Sequence, residues 1–328
     1  MRRSPASTRL LPALASVAIA ALAVTSCGSE PAGSGTAEDP LQVVAAFYPL
    51  EWMAEQVGGD RVEVTSLTKP GAEPHDLELT PSDVGSIQDA DVIAFLSEFQ
   101  PSIDTAIAES SGTVFDARDA TELVPASASA DEHEDAHEHE EADAGADHDH
   151  DHDAGTTDPH FWLDPTRMAD VATEFAETLA DADPAHAEDY RANAEAVGAE
   201  LAELDGELEA GLADCERTEL VTSHESFGYL ARRYGLEQVG ITGLTPEAEP
   251  SPKALAEVAD FVEEHDVTTI YFETLTSPAV AKTLASETGA ATAVLDPLEG
   301  LTDDSEGGDY LEVMRSNLAV LQAGQGCS

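Results

Sequence analysis

Short apolar or β-branched runs alternate with helix-like segments in both halves of the chain, and this rhythm limits the possible folds. The predicted strands are LQVVAAF, VEVTSL, DVIAFL and TVFDA, followed in the second half by ELVTSH, EQVGITG, TTIYFE and TAVLD. Several intervening segments, such as PSDVGSIQDA and PKALAEVADFVEEH, begin with proline, which favours the first turn of a helix. Strands that alternate with helices form parallel sheets, so the sequence predicts an α/β fold without indicating which strands pair.

A long helical pattern separates the two halves. Beyond Pro184, apolar side chains recur every three or four residues and form a single stripe. The stripe consists of Tyr190, Ala194, Val197, Leu201, Leu204, Leu208 and Leu212. A helix over residues 184–213 would be long enough to brace two lobes, 41–183 and 214–328. The alternative interpretation is a surface helix within one lobe.

The first 40 residues predict export and attachment to a membrane. Three arginines precede LLPALASVAIAALAV, an apolar run that suits a signal peptide and is short for a membrane span. The run ends in VTSC, which resembles a bacterial lipobox. Residues 1–26 are therefore predicted to be removed and Cys27 to be lipid-modified, with a plain secretory signal as the alternative. Residues 27–40 predict a flexible tether, which places the folded part at the outer face of the cytoplasmic membrane.

The amino-acid composition limits the kinds of partner that the protein can bind. The 328 residues are 42% hydrophobic, enough for a core in each of two domains, and the net charge is -53. Nucleic acid and anionic lipid surfaces would be repelled, which leaves cations as natural ligands. A salt-adapted or generally acidic proteome explains the same charge, so acidity alone predicts no metal site.

Two cysteines remain once Cys27 is assigned to the lipid. In an oxidising compartment this even number favours a disulfide between Cys215 and Cys327. In the chain-entropy description, closing so long a loop stabilises the fold by roughly 4 to 5 kcal/mol. Two free thiols or two zinc ligands are the alternatives.

An acidic, histidine-rich insert over residues 126–157 lacks aromatic and large aliphatic side chains and is predicted to be disordered. Its histidines alternate with carboxylates, so small groups of them could chelate divalent cations weakly and exchange them rapidly. These histidines are His133, His137, His139, His148, His150 and His152. The insert is interpreted as an auxiliary cation trap or sensor, with a solvated spacer as the alternative.

Isolated histidines occupy a different kind of position. His75 follows the strand VEVTSL through a Pro/Gly-rich turn, His224 ends the strand ELVTSH, and Asp296 ends TAVLD. Ligands of open parallel sheets bind beyond the carboxyl ends of strands, and His160, in the loop before Pro165, could converge there. Three imidazoles and a carboxylate suit a four-coordinate zinc site.

Two other histidines, His186 and His265, lie at predicted exposed helix ends and are interpreted as ordinary surface residues.

Five motifs in order resemble a known family. GAEPHDLELTPSD, DPHFWLDP, TSHESFGYLARRYG, YFETLTSPAVAKTLASETG and LDPLEG are similar to segments of TroA-like metal-binding proteins of bacterial ABC importers, most closely of the ZnuA-like zinc branch. The resemblance covers about residues 41–322. It implies two lobes, each with a four-stranded, mostly parallel sheet flanked by helices, joined by one rigid long helix. It also implies a monomer that holds Zn(II) as transported ligand in the cleft and delivers it to an ABC permease and its ATPase.

The same resemblance implies the site. His75, His160 and His224 match the histidine ligands, and Asp296 matches the carboxylate that often completes the set. Manganese relatives commonly carry Glu at the position of His224, so three imidazoles favour zinc over manganese or iron. The histidine-rich insert is also similar to zinc members.

One departure concerns the fourth ligand. Some zinc members carry Glu where this chain has Pro74, which leaves Asp296, Glu273, Glu73 or a water for the fourth position. Asp76, Glu225 and Glu273 are expected to orient imidazoles, with structural ion pairing as the alternative.

Two competing functions share these features. A metal-dependent surface adhesin of the same family would have the same fold and site. Catalytic zinc also uses three protein ligands, but His224-Glu225 is followed by Gly228 where an HExxH motif needs its second histidine. The sequence also contains no convincing Ser/His/Asp arrangement or Gly-rich phosphate loop, so a zinc hydrolase is disfavoured.

Overall fold

The computed structural model describes residues 39–126 and 157–328. The predicted signal peptide, Cys27, nearly all of the tether and the six histidines of the insert lie outside the described residues. The part from Asp39 onward forms one compact unit. Within the described residues, no helix combines the length and the apolar character needed to cross a membrane.

The first half folds around a four-stranded parallel sheet in the order β2-β1-β3-β4. Its strands are β1 (Leu41–Ala45), β2 (Val62–Ser66), β3 (Val92–Phe95) and β4 (Thr113–Asp116). The helices are α1 (Tyr48–Gly58), α2 (Pro81–Asp89), α3 (Pro101–Ile107) and the short α4 (Ala117–Ala120). Helices α1, α2 and α3 each have proline in the first turn, as the sequence indicates.

The second half repeats this arrangement with the strand order β6-β5-β7-β8, again all parallel. Its strands are β5 (Glu219–Thr222), β6 (Glu237–Gly240), β7 (Thr269–Phe272) and β8 (Ala291–Val294). Its helices are α7 (Gly228–Tyr234), α8 (Pro252–Glu264), α9 (Ala279–Thr288) and α10 (Tyr310–Gln325). The α/β fold class is confirmed, and the two sheets supply the pairing that the sequence left open.

In the sequence, two helices that pack against each other separate the strands of the first sheet from those of the second. They are α5 (Pro165–Ala182), which belongs to the first half, and α6 (Ala187–Leu212). All seven apolar residues of the predicted stripe on α6 are buried. This helix is about 39 Å long at 1.5 Å per residue and packs against α1 and α5 of the first half and α10 of the second. The helix therefore contacts both halves.

A disulfide joins Cys215, just beyond α6, to Cys327, just beyond α10. The sulfur atoms link positions 112 residues apart, and Ser328 also donates its backbone N–H to Asp214. The C-terminus is thus fastened to the start of the second half, as predicted.

Candidate metal centre

Four side chains from distant parts of the chain converge where the two halves meet. One nitrogen or carboxylate oxygen from each of His75, His160, His224 and Glu299 lies within 4.8 Å of the others. The first two residues belong to the first half and the last two to the second. Three of these side chains are fully enclosed, whereas that of His75 is 10% exposed.

The distances in this cluster fit a tetrahedral ion. The Nε2 atoms of His75, His160 and His224 lie 3.2, 3.1 and 3.2 Å from Oε1 of Glu299, and two of these nitrogens are 3.4 Å apart. Donor atoms that surround zinc tetrahedrally at about 2.0–2.1 Å are separated by about 3.3–3.4 Å. In addition, Oε2 of Glu299 is buried and has no hydrogen-bond partner among the described residues. The donor set is therefore spaced for one small cation.

His160 is held by a carboxylate two residues earlier. It lies directly before a 3-10 turn, Phe161–Leu163, that leads into α5. Oδ1 of Asp158 accepts the backbone N–H of His160 at 2.9 Å and lies 2.8 Å from its Nδ1. A carboxylate at Nδ1 keeps the proton there and leaves the Nε2 lone pair directed at the centre.

His224 is oriented in the same way from within the second half. It follows β5, and Glu273 follows the neighbouring strand β7, so both stand at the carboxyl edge of one sheet. Oε1 of Glu273 lies 2.6 Å from Nδ1 of His224 and also accepts the Ser223 hydroxyl at 2.7 Å. Glu273 therefore contacts the ring at the atom away from the centre, as expected of an orienting group.

His75 lies on a different type of support. Residues 67–80 connect β2 to α2 without regular secondary structure. The turn is fastened through backbone groups: Gln100 donates to the Pro74 carbonyl at 3.0 Å, and the His75 N–H donates to Glu73 at 3.1 Å. The imidazole packs edge-on against Phe99, with ring centroids 4.7 Å apart. Packing and loop contacts position this ring, where carboxylates at Nδ1 position the other two.

The carboxylate that the structure brings to the three histidines is that of Glu299, whereas the carboxylate of Asp296, the residue expected there, has other partners. Asp296 turns away from the histidines: its carboxylate accepts the Leu298 N–H at 2.9 Å and the Ser305 hydroxyl at 2.7 Å. Leu298 has a positive φ of 59°, which a non-glycine residue seldom adopts. Glu299 follows directly, and its Oε1 lies in the centre beside the three imidazoles. The Pro297 carbonyl accepts the indole N–H of Trp162 at 2.8 Å, which ties the turn to the first half.

The cluster is electrostatically coupled. Burial lowers the pKa of His224, but Glu273 and Glu299 outweigh it and raise the pKa to about 10. Burial is likewise outweighed at His160, whose pKa is raised by hydrogen bonds to Asp158 and Glu299. The pKa of Glu299 lies well below its usual range, in spite of complete burial, because His224, His160 and His75 surround it. Without a metal, protons on the imidazoles neutralise the carboxylates; a divalent cation can replace them.

Other predicted residues are more distant. Within the described chain, neither Asp76 nor Glu225 hydrogen-bonds to an imidazole. Asp76 is exposed, and its backbone N–H donates to Glu73. Burial raises the pKa of Glu225 to about 7, with a further contribution from Asp158. His186 and His265 stand at helix ends, as expected. His186 is partly buried and lies 2.6 Å from Asp183.

Two residues of the centre escaped the sequence analysis although both lie inside its motifs. Asp158 stands two residues before His160 in DPHFWLDP, and Glu299 stands three residues after Asp296 in LDPLEG. The carboxylate-x-histidine spacing was the available signal for Asp158. For Glu299 the signal was only a second acid in a turn.

A two-lobed α/β fold with a buried cluster of three imidazoles and one carboxylate at the lobe junction defines a metal-binding protein of the TroA-like class. The profile of the family described as "ZnuA: Zinc-uptake complex component A periplasmic" matches residues 43–324. The chain belongs to this ZnuA family.

Individual relatives agree with this assignment. The chain is 37% identical over 314 residues to the high-affinity zinc uptake system protein ZnuA of Bacillus subtilis (strain 168), covering 93% of this chain and 95% of that protein. Among solved structures, the laminin-binding protein Lmb of Streptococcus agalactiae, described as a bifunctional protein with adhesin and metal-transporting activity, aligns with a TM-score of 0.74 and 32% identity. The Zn(II)-bound ZnuA-like domain of Streptococcus pneumoniae AdcA aligns with a TM-score of 0.70 and 32% identity. Each alignment covers 87% of this chain and 99% of the other.

Proposed function

We propose that the protein is the extracytoplasmic Zn(II)-binding component of an ABC importer. Zn(II) is its transported substrate and is held by the Nε2 atoms of His75, His160 and His224 and by the carboxylate of Glu299. The observation that carries the proposal is the convergence of three imidazole nitrogens on one buried carboxylate oxygen at 3.1–3.2 Å.

The donor set favours zinc among the divalent ions. Three imidazoles and one carboxylate suit a borderline-soft ion in tetrahedral geometry, whereas manganese prefers oxygen donors and more of them. Asp158 and Glu273 supply the outer carboxylates that metal-bound histidines usually have.

Binding without turnover is the second part of the proposal. Catalytic zinc keeps one coordination position open for water. Here the protein offers four donors, and the side chains of His160, His224 and Glu299 are fully enclosed. Such a site captures an ion and excludes water, which suits a carrier that passes its cargo to a permease.

The surrounding assembly belongs to the proposal as well. We infer that Cys27 carries a lipid that anchors the protein to the outer face of the cytoplasmic membrane, that the protein acts as a monomer, and that a permease and its ATPase receive the ion. Residues 41–183 and 214–328 would form the two lobes with 184–213 as the brace. The histidines of the insert would serve as an auxiliary set of weak sites.

Glu299 provides the direct test of the metal centre. Zinc affinity, measured by competition with a chromogenic chelator, should fall by more than 100-fold in Glu299→Ala. The ion would lose one donor atom and the negative charge that neutralises it. Manganese should fail to displace zinc at equal concentration from the unsubstituted protein. Tight zinc binding by Glu299→Ala, or preference for manganese, would reject the assignment.

A further inference from the structure

Tyr229 connects the two lobes directly behind the metal centre. It is 3% exposed and belongs to α7 in the second half. Its hydroxyl accepts the backbone N–H of Val124 and donates to the backbone carbonyl of Asp158, both at 2.9 Å. Both partners belong to the first half, where Asp158 N–H also donates to the Val124 carbonyl at 2.9 Å. One phenol hydroxyl therefore closes a small ring of hydrogen bonds across the lobe boundary.

This ring of hydrogen bonds leads to the centre through Asp158. The carboxylate of Asp158 fixes both the backbone N–H and Nδ1 of His160, whose Nε2 faces Glu299 at 3.1 Å. Helix α7 also approaches Asp158 through Gly228, where an added Cβ would lie 2.6 Å from Oδ2. Backbone and carboxylate of Asp158 are thus both confined by α7.

The ring of Tyr229 is itself confined. The guanidinium carbons of Arg167 and Arg232 lie 5.0 and 5.8 Å from its centroid, within the range of cation–π contacts. Burial raises the pKa of Tyr229 to about 12, so the hydroxyl keeps its proton for donation at neutral pH. The phenol is held in place as a donor with a fixed direction.

We propose that Tyr229 is a positioning residue for zinc: through Asp158, it sets the orientation of His160 and makes that orientation depend on lobe closure. The proposal rests on the function proposed above. Residues 224–229 then do two things, since His224 supplies a donor from the second lobe while Tyr229 aligns a donor of the first. Separation of the lobes would withdraw the second-lobe donors, His224 and Glu299, and release the support of His160 in the same movement.

A matched pair of variants tests this role. Tyr229→Phe removes only the bridging hydroxyl, and Tyr234→Phe on the same helix removes a hydroxyl that donates to Asp205 at 2.9 Å, away from the centre. Zinc affinity should fall about tenfold in Tyr229→Phe, the lower end of the loss typical for outer hydrogen-bond partners, and stay within about twofold in Tyr234→Phe. Equal affinities in the two variants would overturn the proposal.

A double-mutant cycle tests the route through Asp158. If Tyr229 acts through Asp158, the change Tyr229→Phe should reduce zinc affinity clearly less in the Asp158→Asn variant than in the unsubstituted protein. Additive losses would show that Tyr229 acts by another path and would reject the proposal. The outcomes are separable: tight binding by Glu299→Ala rejects the metal centre itself, whereas normal binding by Tyr229→Phe rejects only the positioning role.

The unsubstituted protein gives an independent measurement should Tyr229→Phe fold poorly. Coupling is reciprocal, so zinc that gains affinity from the Tyr229 bridge must strengthen the bridge in return. Hydrogen exchange of the Val124 amide should therefore slow when zinc is added to the metal-free protein. Exchange that is unchanged by zinc would contradict the coupling.

Discussion

The two enclosed histidines and the loop histidine are held in physically different ways. His224 follows β5, His160 directly precedes the turn that leads into α5, and each has a buried carboxylate at Nδ1, 2.6 and 2.8 Å away respectively. His75 stands on the irregular segment 67–80, is partly exposed, and is positioned by Phe99 and by backbone hydrogen bonds. The centre therefore has a fixed side, formed by His160 and His224, and a partly exposed side at His75.

Removal of single histidine ligands should change zinc affinity the most and should distinguish the two sides of the centre. His224→Ala removes a donor from the enclosed side, where no solvent can replace it, and should weaken zinc binding by more than 100-fold. His75→Ala should cost less, because water can enter from the exposed side and complete three protein donors, as in open zinc sites. Chelator competition on both variants measures the difference. A larger loss in His75→Ala would reverse the proposed roles of the two sides.

The carboxylates behind the rings should show the next largest effect. Asp158→Asn and Glu273→Gln keep the shape but remove the charge that orients His160 and His224, so each should weaken zinc binding by about 10- to 100-fold. Glu73→Gln is the matched change beside His75. Glu73 contacts backbone N–H groups there, and its Oε1 is 3.9 Å from the ring nitrogen, so the loss should be smaller. Comparable losses in all three would remove the distinction between the sides.

Acidity should act mainly through the fixed side. In the metal-free protein the pKa of His224 is raised to about 10 and that of His160 is also raised, so zinc must displace protons at neutral pH. Affinity should fall by about tenfold or more per pH unit as pH decreases from 9 to 6, since each displaced proton contributes one factor of ten. Titration calorimetry in buffers of different ionisation enthalpy should detect release of at least one proton. Binding without proton release would contradict these shifts.

The stability of the metal-free protein should decrease as pH rises, because of the same raised histidine pKa values. A histidine whose pKa is raised on folding contributes stability that is complete below its unfolded pKa of about 6.5 and is lost as pH rises through its folded pKa. For His224 that loss extends to about pH 10. Zinc-loaded protein should not show it, because the ion replaces the proton.

Removal of the insert should have the smallest effect on the tight site. Pro125 and Thr157 pair as an isolated antiparallel bridge, and Asp158 N–H bonds to the Val124 carbonyl, so the chain ends on either side of 127–156 already meet. Replacing 127–156 with a short Gly/Ser linker should leave the tight site within about twofold and remove only weak additional zinc sites. A control with His133, His137 and His139 changed to Ala keeps the length. Loss of tight binding on deletion would show that the fixed side depends on the insert.

Local sequence was sufficient for much of the fold. The periodic stripe on α6 and the eight apolar runs predicted the elements because each pattern reflects which face an element buries. Strand pairing was not readable, since β1 pairs with both β2 and β3 through contacts far apart along the chain. Pairing is decided by how helices cover the two faces of the sheet, and single-strand patterns do not contain that information.

The residues of the metal centre were also only partly predictable from the sequence. His75, His160 and His224 were predicted from their positions after strands or before a helix, and the structure brings them together. The sequence favoured Asp296 as the carboxylate because it ends the apolar run, whereas Glu299, which the structure places beside the histidines, follows a turn. That turn depends on Leu298 in a left-handed conformation, which a leucine seldom adopts and which no pattern in the sequence signals.

Asp296 is linked to the metal centre through the turn that leads to Glu299. Its oxygens hold the Leu298 N–H and the Ser305 hydroxyl, and its backbone is clasped by Asn317 through two hydrogen bonds. An amino-acid change there would remove the contacts that hold the turn before Glu299, and zinc affinity would fall although every donor atom was still encoded. A screen scored by retained zinc alone would therefore count Asp296 as a ligand.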